Sequence, residues 1–452
     1  MRKNLEANLA TTKEFLQKKS TKALASFLSQ LHPADIAEIL EELTEAEKPR
    51  VLSLLDSDLA APVIEELDYD DQSGILRQLG QQQATAILDE MADDNIADLL
   101  GEVPPQEAHE ILQAMEKDEA QDVQSLLKYD EDTAGGLMTT DYVALSAEIM
   151  AEAAISTLRQ LAPDAETIYY VYVIDANGIL VGVLSLRDLI VAPPSTFLRN
   201  IMHRQVISVA ADMDQEEVAR IVSKYDFLAL PVVSKEGHLL GIITVDDVID
   251  VIEEEASEDI YRLAATSPEE KDFVLSSWER AKKRLPWLVG LLFGELLAGN
   301  VIKNFSGIIE VFTVLAFFIP VMTGEAGNAA TQSLAVVVRG LATGEIELEE
   351  IWQVVWKEAK VGLLVGAVTG IVLAFVSYLW EGSPVLGLLT GVALVLNIFA
   401  AAILGGFFPV VIKRMGIDPA VASGPFITTL TDVISMFIYF SLATFFVSRL
   451  TM

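Results

Sequence analysis

From Leu285 onward the chain holds five long apolar stretches, at about 285-303, 308-338, 361-380, 385-411 and 419-447. Each is long enough to cross ~30 Å of hydrocarbon at ~1.5 Å per helical residue. Backbone polar groups inside lipid must be bonded within their own segment, so the region is restricted to membrane-spanning helices. The second stretch is interrupted by Pro320, Gly324 and Gly327, which predicts a bend or a part outside the lipid. Lys282, Lys283 and Arg284 precede the first stretch, Arg339, Lys357 and Lys360 flank the loop after the second, and Lys413-Arg414 lie in the fourth. Threading five spans puts all of these on one side, which makes that side cytoplasmic. The loop Trp380-Glu381-Gly382-Ser383-Pro384 and the C-terminus are then expected on the outer face of the cell membrane.

Composition changes at the same boundary. Residues from Leu285 on carry eleven acidic and seven basic side chains, so residues 1-284 carry 55 acidic and 24 basic ones, and −31 of the formal net charge of −35. Such a surface repels nucleic acid and anionic lipid headgroups, and its natural counterparts are cations, divalent ones above all. A merely solvated acidic face has the same composition. With no cysteine and four histidines, disulfides, thiolate metal sites and cysteine catalysis are excluded and little remains for a zinc centre. The chain also lacks a Gly-x-x-x-x-Gly-Lys phosphate loop and a nucleophile constellation, so no enzyme is expected. The polar start at Met1-Arg2-Lys3-Asn4 does not read as a signal peptide, and the N-terminal part is expected in the cytoplasm.

Two internal repeats organise that part. Residues 32-127 repeat every 24 positions: Ile39, Val63, Ile87 and Ile111 stack, as do Leu40, Ile64, Leu88 and Leu112, then Leu43, Leu67, Met91 and Met115. Apolar positions at helical spacing, punctuated by Pro33, Gly80, Pro104 and Pro105, predict a superhelix of short helix pairs. The second repeat has a period of 59 residues. Val173 to Leu189 and Val232 to Val248 each read as a strand, a glycine turn, a second strand and a Ser or Thr cap before an acidic helix start.

The latter pattern, with Leu137-Met138-Thr139 and Ile201-Met202 opening each copy, resembles a pair of cystathionine-β-synthase (CBS) modules. The resemblance implies an adenine nucleotide such as ATP in the cleft between the modules, with Tyr170, Arg187, Asp188 and Phe227 as candidate contacts. Asp188 and Asp247 also suit the first turn of any helix, where the dipole favours a carboxylate. Residues 250-284 form a charged connector, expected to be helical.

Within the apolar region, Gly290 and Gly294, Gly362, Gly366 and Gly370, and Gly387 and Gly391 recur at four-residue spacing and predict close helix packing and a dimer. Asp432 is the one formal charge between Asp418 and Arg449, near the middle of the last stretch. A carboxylate there costs ~2.5–3.5 kcal/mol to insert, so it is expected to face protein or water. Gly424, Thr428, Thr431, Ser435 and Tyr439 share its helical face, which favours a cation pathway over a protonated interhelical contact. Magnesium keeps several waters when proteins bind it, so a pair of Asp432 side chains across a dimer axis suits the hydrated ion.

Taken as a whole, the chain resembles the MgtE family of bacterial magnesium channels. The resemblance rests on Glu131-Asp132-Thr133-Ala134-Gly135-Gly136-Leu137-Met138, Pro163-Asp164-Ala165-Glu166-Thr167-Ile168-Tyr169-Tyr170, Asp214-Gln215-Glu216-Glu217-Val218-Ala219-Arg220, and Asp418-Pro419-Ala420 leading to Asp432. It implies a multidomain membrane protein: an all-α superhelical domain at 1-130, an α/β CBS pair at 131-250, a connecting helix at 251-284 and a five-span α-helical domain at 285-452. It further implies a homodimer with Asp432 recognising the ion, and cytoplasmic Mg2+ between the soluble domains holding the gate shut. Candidate sensor ligands are Asp94 and Asp98; Glu216, Asp226, Asp247 and Asp250; and Glu255, Glu258 and Asp259. Gly424, where an Asn is common, and Gly324-Glu325-Ala326-Gly327-Asn328 depart from the family pattern. An ion-coupled exchanger, and a nucleotide receptor tethered by its spans, are the rival readings.

Overall fold

The computed structural model describes residues 2–115, 117–161, 165–266, 276–346 and 350–450, which leaves Pro163-Asp164 and connector residues 267–275 outside the described residues. The chain divides into two compact units, Met1–Ile252 and Glu253–Met452.

The first unit opens with ten helices: α1 (Arg2–Gln17), α2 (Thr21–Leu28), α3 (Pro33–Glu41), α4 (Lys48–Leu52), α5 (Ser57–Glu65), α6 (Tyr69–Gln78), α7 (Gln81–Leu88), α8 (Asp93–Glu102), α9 (Pro105–Ala114) and α10 (Lys117–Leu126). The odd-numbered series from α3 to α9 starts at residues 33, 57, 81 and 105, reproducing the 24-residue period. Ile39, Val63 and Ile87 are fully buried, as are Leu40, Ile64 and Leu88, so each turn of the superhelix covers the apolar face of the one before it. The last repeat is more open, and Leu127 is exposed.

Two small sheets follow, each with a parallel and then an antiparallel pairing: β1 (Ala144–Ser146), β2 (Tyr170–Ile174) and β3 (Leu180–Ser185), then β4 (Val209–Ala210), β5 (Ala229–Val233) and β6 (Leu239–Thr244). Both hairpins carry a register shift at the same place, Val173/Ile174 and Val232/Val233, and both turn on a glycine with positive φ, Gly178 and Gly237. Helices α11 (Ala151–Leu161), α12 (Leu186–Val191), α13 (Gln215–Tyr225) and α14 (Val245–Leu263) complete the pair. The 59-residue period is therefore real, from β2 to β5 and from β3 to β6.

The connector differs from a separate element: α14 runs unbroken from the second CBS copy to Leu263, and the next described helix, α15 (Ser277–Asn304), is already the first apolar one. Ser276 and Glu279 form a capping box at its start. The remaining helices are α16 (Ser306–Val311), α17 (Ile319–Ala342), α18 (Ile351–Glu381), α19 (Pro384–Arg414) and α20 (Gly424–Leu450). Among the described residues four helices, α15, α18, α19 and α20, are long and apolar enough to cross a membrane. The second expected span is split: α16, a 3-10 segment at Thr313–Phe318, then α17, which starts next to Pro320 and runs straight through Gly324 and Gly327. The break thus falls at Phe312–Phe318 and not at the glycines. α17 is 24 residues long but carries Glu325, Asn328, Gln332 and Arg339.

α19 is the central helix of this unit, packing against α17, α18 and α20. Gly362, Gly366 and Gly370 are buried on α18, and a Cβ built on Gly370 meets the carbonyl oxygen of Gly391 at 2.7 Å. The close helix packing expected of these glycines is met within the chain, at the α18–α19 crossing. Gly370→Val should therefore cost roughly 1–3 kcal/mol by overpacking. A lowered thermal midpoint of the detergent-solubilised protein, followed by size-exclusion chromatography after heating, checks this; an unchanged midpoint refutes the assignment.

Candidate functional site

Asp432 sits in the third turn of α20, half-buried, and its Oδ1 is buried with no hydrogen-bond partner. The polar stripe predicted beside it divides in two. Thr431, Ser435 and Tyr439 are buried inside the chain, where the Tyr439 hydroxyl donates to the carbonyl of Leu315 at 3.0 Å and Thr431 Oγ1 donates to that of Thr428 at 2.8 Å. Tyr439 thus ties α20 to the segment before α17, Thr431 bonds within its own helix, and none of the three borders the cavity described next. Thr428 and Gly424 instead border an open cavity of about 600 Å³, with Thr429, Thr331, Glu295 and Leu263. A Cβ on Gly424 would stand 3.4 Å from the Leu263 carbonyl oxygen and 3.5 Å from Thr331 Cγ2, so the departure at this position sits in the cavity wall.

Glu295 of α15 is the charged neighbour of Asp432 and accepts a hydrogen bond from Thr429 Oγ1 at 3.3 Å. Sequence reasoning missed it, although an acidic residue midway along the first apolar stretch is the same signal that singled out Asp432.

In the first unit, Asp93 and Asp94 open α8, where the helix dipole favours carboxylates, yet both are over nine-tenths buried. Thr140 donates to Asp93 Oδ2, while Asp94 Oδ1 has no partner. Burial holds the Asp94 carboxyl well above the usual carboxylate range, and the nearby charges of Asp247 and Glu166 add to this. Asp98, one turn on, is pushed up to about 7 by burial and then by Glu131, against a hydrogen bond from the Tyr69 hydroxyl at 3.4 Å. Burial, with Asp247 and Asp246 adding, raises Glu166 to about 7. Asp247 rises to about 6 for the same main reason, although Thr244 Oγ1 donates to it at 2.5 Å as a helix cap, and Asp250 lies among its neighbours. Asp94 and Asp98 of α8 thus both feel the charge of Asp247, Asp250 stands beside Asp247 on α14, and Glu166, which sequence reasoning did not single out, is a charged neighbour of Asp94. Asp89, Asp93, Glu119, Asp141 and Glu166 line an adjoining cavity of about 340 Å³.

Glu216 and Asp226 lie at opposite ends of α13, about 15 Å apart by helical rise, so they do not share one site within a chain. Asp226 is the left-handed C-cap of that helix. In the second unit, Arg262 pairs with both Glu258 and Asp418. Asp259 beside them is raised to about 6 by burial, then by Asp418 and Glu255. Among the described residues no group of three or more carboxylate or imidazole side chains is arranged to hold a metal ion. One or two carboxylates with retained water is the usual way proteins hold Mg2+.

Between the CBS copies lies a cavity of about 470 Å³ bordered by Tyr170, Tyr172, Phe227, Pro231, His203 and Arg204. Tyr172 is buried and its hydroxyl has no partner. Tyr170 and Phe227 are where the CBS resemblance put them. Arg187 is exposed and Asp188 is held in a capping box with Ser185, so neither borders the cavity, although His203 Nε2 lies 3.7 Å from Asp188.

An acidic helical repeat and a CBS pair, followed by an apolar helical unit with carboxylates inside it, are the parts of a membrane transporter for cations. Residues 319–442 match the MgtE family, described as divalent cation transporters, residues 31–132 match the MgtE intracellular N domain, and residues 134–195 and 198–254 match the CBS domain. The magnesium transporter MgtE of Thermus thermophilus is 45% identical over 325 residues, 71% of this chain and 72% of its own. Its counterpart from Enterococcus faecalis is 44% identical over 325 residues, 72% of this chain and 71% of its own. A crystal structure of the cytosolic domain of the Mg2+ channel MgtE in complex with ATP matches with a TM-score of 0.52 at 43% identity, covering 54% of this chain and 99% of that one. The chain belongs to the MgtE family.

Proposed function

We propose that this protein is a magnesium channel of the cell membrane, a homodimer whose pore recognises hydrated Mg2+ through Asp432 and is closed when cytoplasmic Mg2+ is high. The observation that carries the reading is the buried, unpartnered Oδ1 of Asp432 in an apolar helix, one turn from Thr428, which borders an open and mostly apolar cavity with Glu295 in its wall. The soluble domains lie in the cytoplasm and the C-terminus outside, on the distribution of basic residues. The domains divide as 1-130, 131-250, 251-284 and 285-452. Asp94, Asp98, Asp247 and Asp250 on the first unit, with Glu216 and Asp226, and Glu255, Glu258 and Asp259 on α14, form the sensor. Burial and mutual repulsion make the Asp94 group costly to ionise, and an orphaned carboxylate oxygen there fits a cation. A bound divalent ion supplies positive charge. The residues do the rest: neutralised, they let the helical repeat stay packed on the CBS pair, and α14 carries that state toward the membrane.

Single-channel recording from the reconstituted protein with Mg2+ as the permeant cation tests this. Discrete currents that close as cytoplasmic Mg2+ is stepped up support the channel. Saturable uptake driven by a proton or sodium gradient, with no unitary current, supports the exchanger instead.

ATP is the nucleotide expected in the CBS cleft, on the aromatic walls of Tyr170 and Phe227 and by analogy with the ATP-bound relative. Stacking of a base on an aromatic ring contributes roughly 1–3 kcal/mol. Phe227→Ala should thus weaken ATP binding about tenfold or more in calorimetry on the full-length protein, whereas Arg187→Ala, outside the cavity, should change it far less.

A further inference from the structure

Glu295 is the one formal charge between Arg284 and Lys303, the nineteenth residue of a 28-residue apolar helix. Its neighbours Leu292, Phe293, Leu296 and Leu297 are exposed apolar side chains, as a lipid-facing helix requires. A carboxylate among them is retained at a cost of ~2.5–3.5 kcal/mol unless it meets water or protein. It meets both. It borders the 600 Å³ cavity that also reaches Thr331, Gly424 and Thr428, and it lies against Asp432. The approach is built in by the preceding residue: a Cβ on Gly294 would collide with the methyl group of Thr429. The Thr429 hydroxyl, shared with the Pro425 carbonyl at 3.0 Å, donates to Glu295 Oε1.

We propose that Glu295 is a specificity-determining residue of the ion pathway, pairing with Asp432 to favour divalent over monovalent cations. The inference rests on the reading of Asp432 given above. Two adjacent carboxylates repel each other. One divalent ion cancels both charges at once, whereas one monovalent ion leaves a net negative charge. Because the Coulomb term scales with the product of the charges, losing one carboxylate weakens the hold on Mg2+ about twice as much, in free energy, as the hold on Na+. Thr429 is a positioning residue in this scheme, acting through its hydrogen bond to Glu295.

The test is Mg2+ and Na+ flux into proteoliposomes containing full-length wild type, Glu295→Gln, Thr429→Val and Asp432→Asn. Glu295→Gln should raise the half-saturating Mg2+ concentration by about tenfold and admit Na+, and Thr429→Val should shift both in the same direction by about threefold. A monodisperse size-exclusion profile verifies folding, and Thr429→Val, which keeps the carboxylate, carries the test if Glu295→Gln misfolds. Wild-type half-saturation and no Na+ flux in both variants, with Asp432→Asn inactive, overturn the role of Glu295 and leave the pathway reading intact. Wild-type uptake by Asp432→Asn overturns the pathway reading itself.

Discussion

Asp432→Asn is expected to abolish Mg2+ uptake by the full-length protein in proteoliposomes. The substitution keeps size and hydrogen-bonding capacity and removes only the charge, so it separates electrostatic recognition from packing. A divalent ion ~5 Å from a carboxylate, its water shell intervening, interacts by about 7 kcal/mol at an effective dielectric of ~20. Retaining even a fifth of that in the protein makes each charge matter about tenfold in occupancy. In the proposed dimer both copies are lost together, and the effects compound. The Oδ1 atom has no protein partner to lose, and the amide can still bond to Glu295 while a like charge beside that residue is removed, so folding should be spared. Dye-reported Mg2+ influx at subsaturating concentration checks the outcome, and uptake within threefold of wild type sinks the role given to Asp432.

Which parts of this site could be read from the sequence follows from the range of the interactions involved. The 24-residue and 59-residue periods were legible because they are set by local spacing: the helices starting at Pro33, Ser57, Gln81 and Pro105, and the hairpins at Tyr170–Ser185 and Ala229–Thr244, follow their own apolar patterns. Asp432 was legible because a charge in an apolar helix is costly wherever that helix packs. What the helix meets was not. A helical wheel placed Thr431, Ser435 and Tyr439 on the face of Asp432, but only the neighbouring helices determine that these three are buried while Thr428 borders a cavity. The same limit hid Glu166, which reaches Asp94 across 72 positions of sequence, and it left open which helix packs on the glycines of α18, a place taken by α19. The pairing of Arg262 with Glu258 and Asp418 likewise needs the fold, since Asp418 is 156 residues away.

The second large effect concerns the sensor. Asp94→Asn combined with Asp247→Asn should raise the cytoplasmic Mg2+ concentration needed for closure by at least about tenfold, because an ion at ten times its Kd contributes ~1.4 kcal/mol to the state that binds it. The pH dependence has a definite sign. Asp94, Asp98, Glu166 and Asp247 are all raised above the ordinary carboxylate range, chiefly by burial, to about 7, 7 and 6 for the last three. The packed arrangement of helical repeat and CBS pair therefore binds more protons than a separated or unfolded one. Its stability is present at low pH, below about 4, and is lost as pH rises through 6 to 7. Without divalent ions, trypsin should cut the segment joining the two domains faster at pH 8 than at pH 5.5, each rate being taken relative to that of an unstructured Lys-containing peptide at the same pH, and Mg2+ at pH 8 should restore protection. In the double variant two of these four buried charges are gone and Asp98 and Glu166 remain, so the pH step and the Mg2+ response should both shrink together. A variant that closes at the wild-type Mg2+ concentration, with its pH step intact, would show that the charge controlling the gate resides elsewhere in the chain.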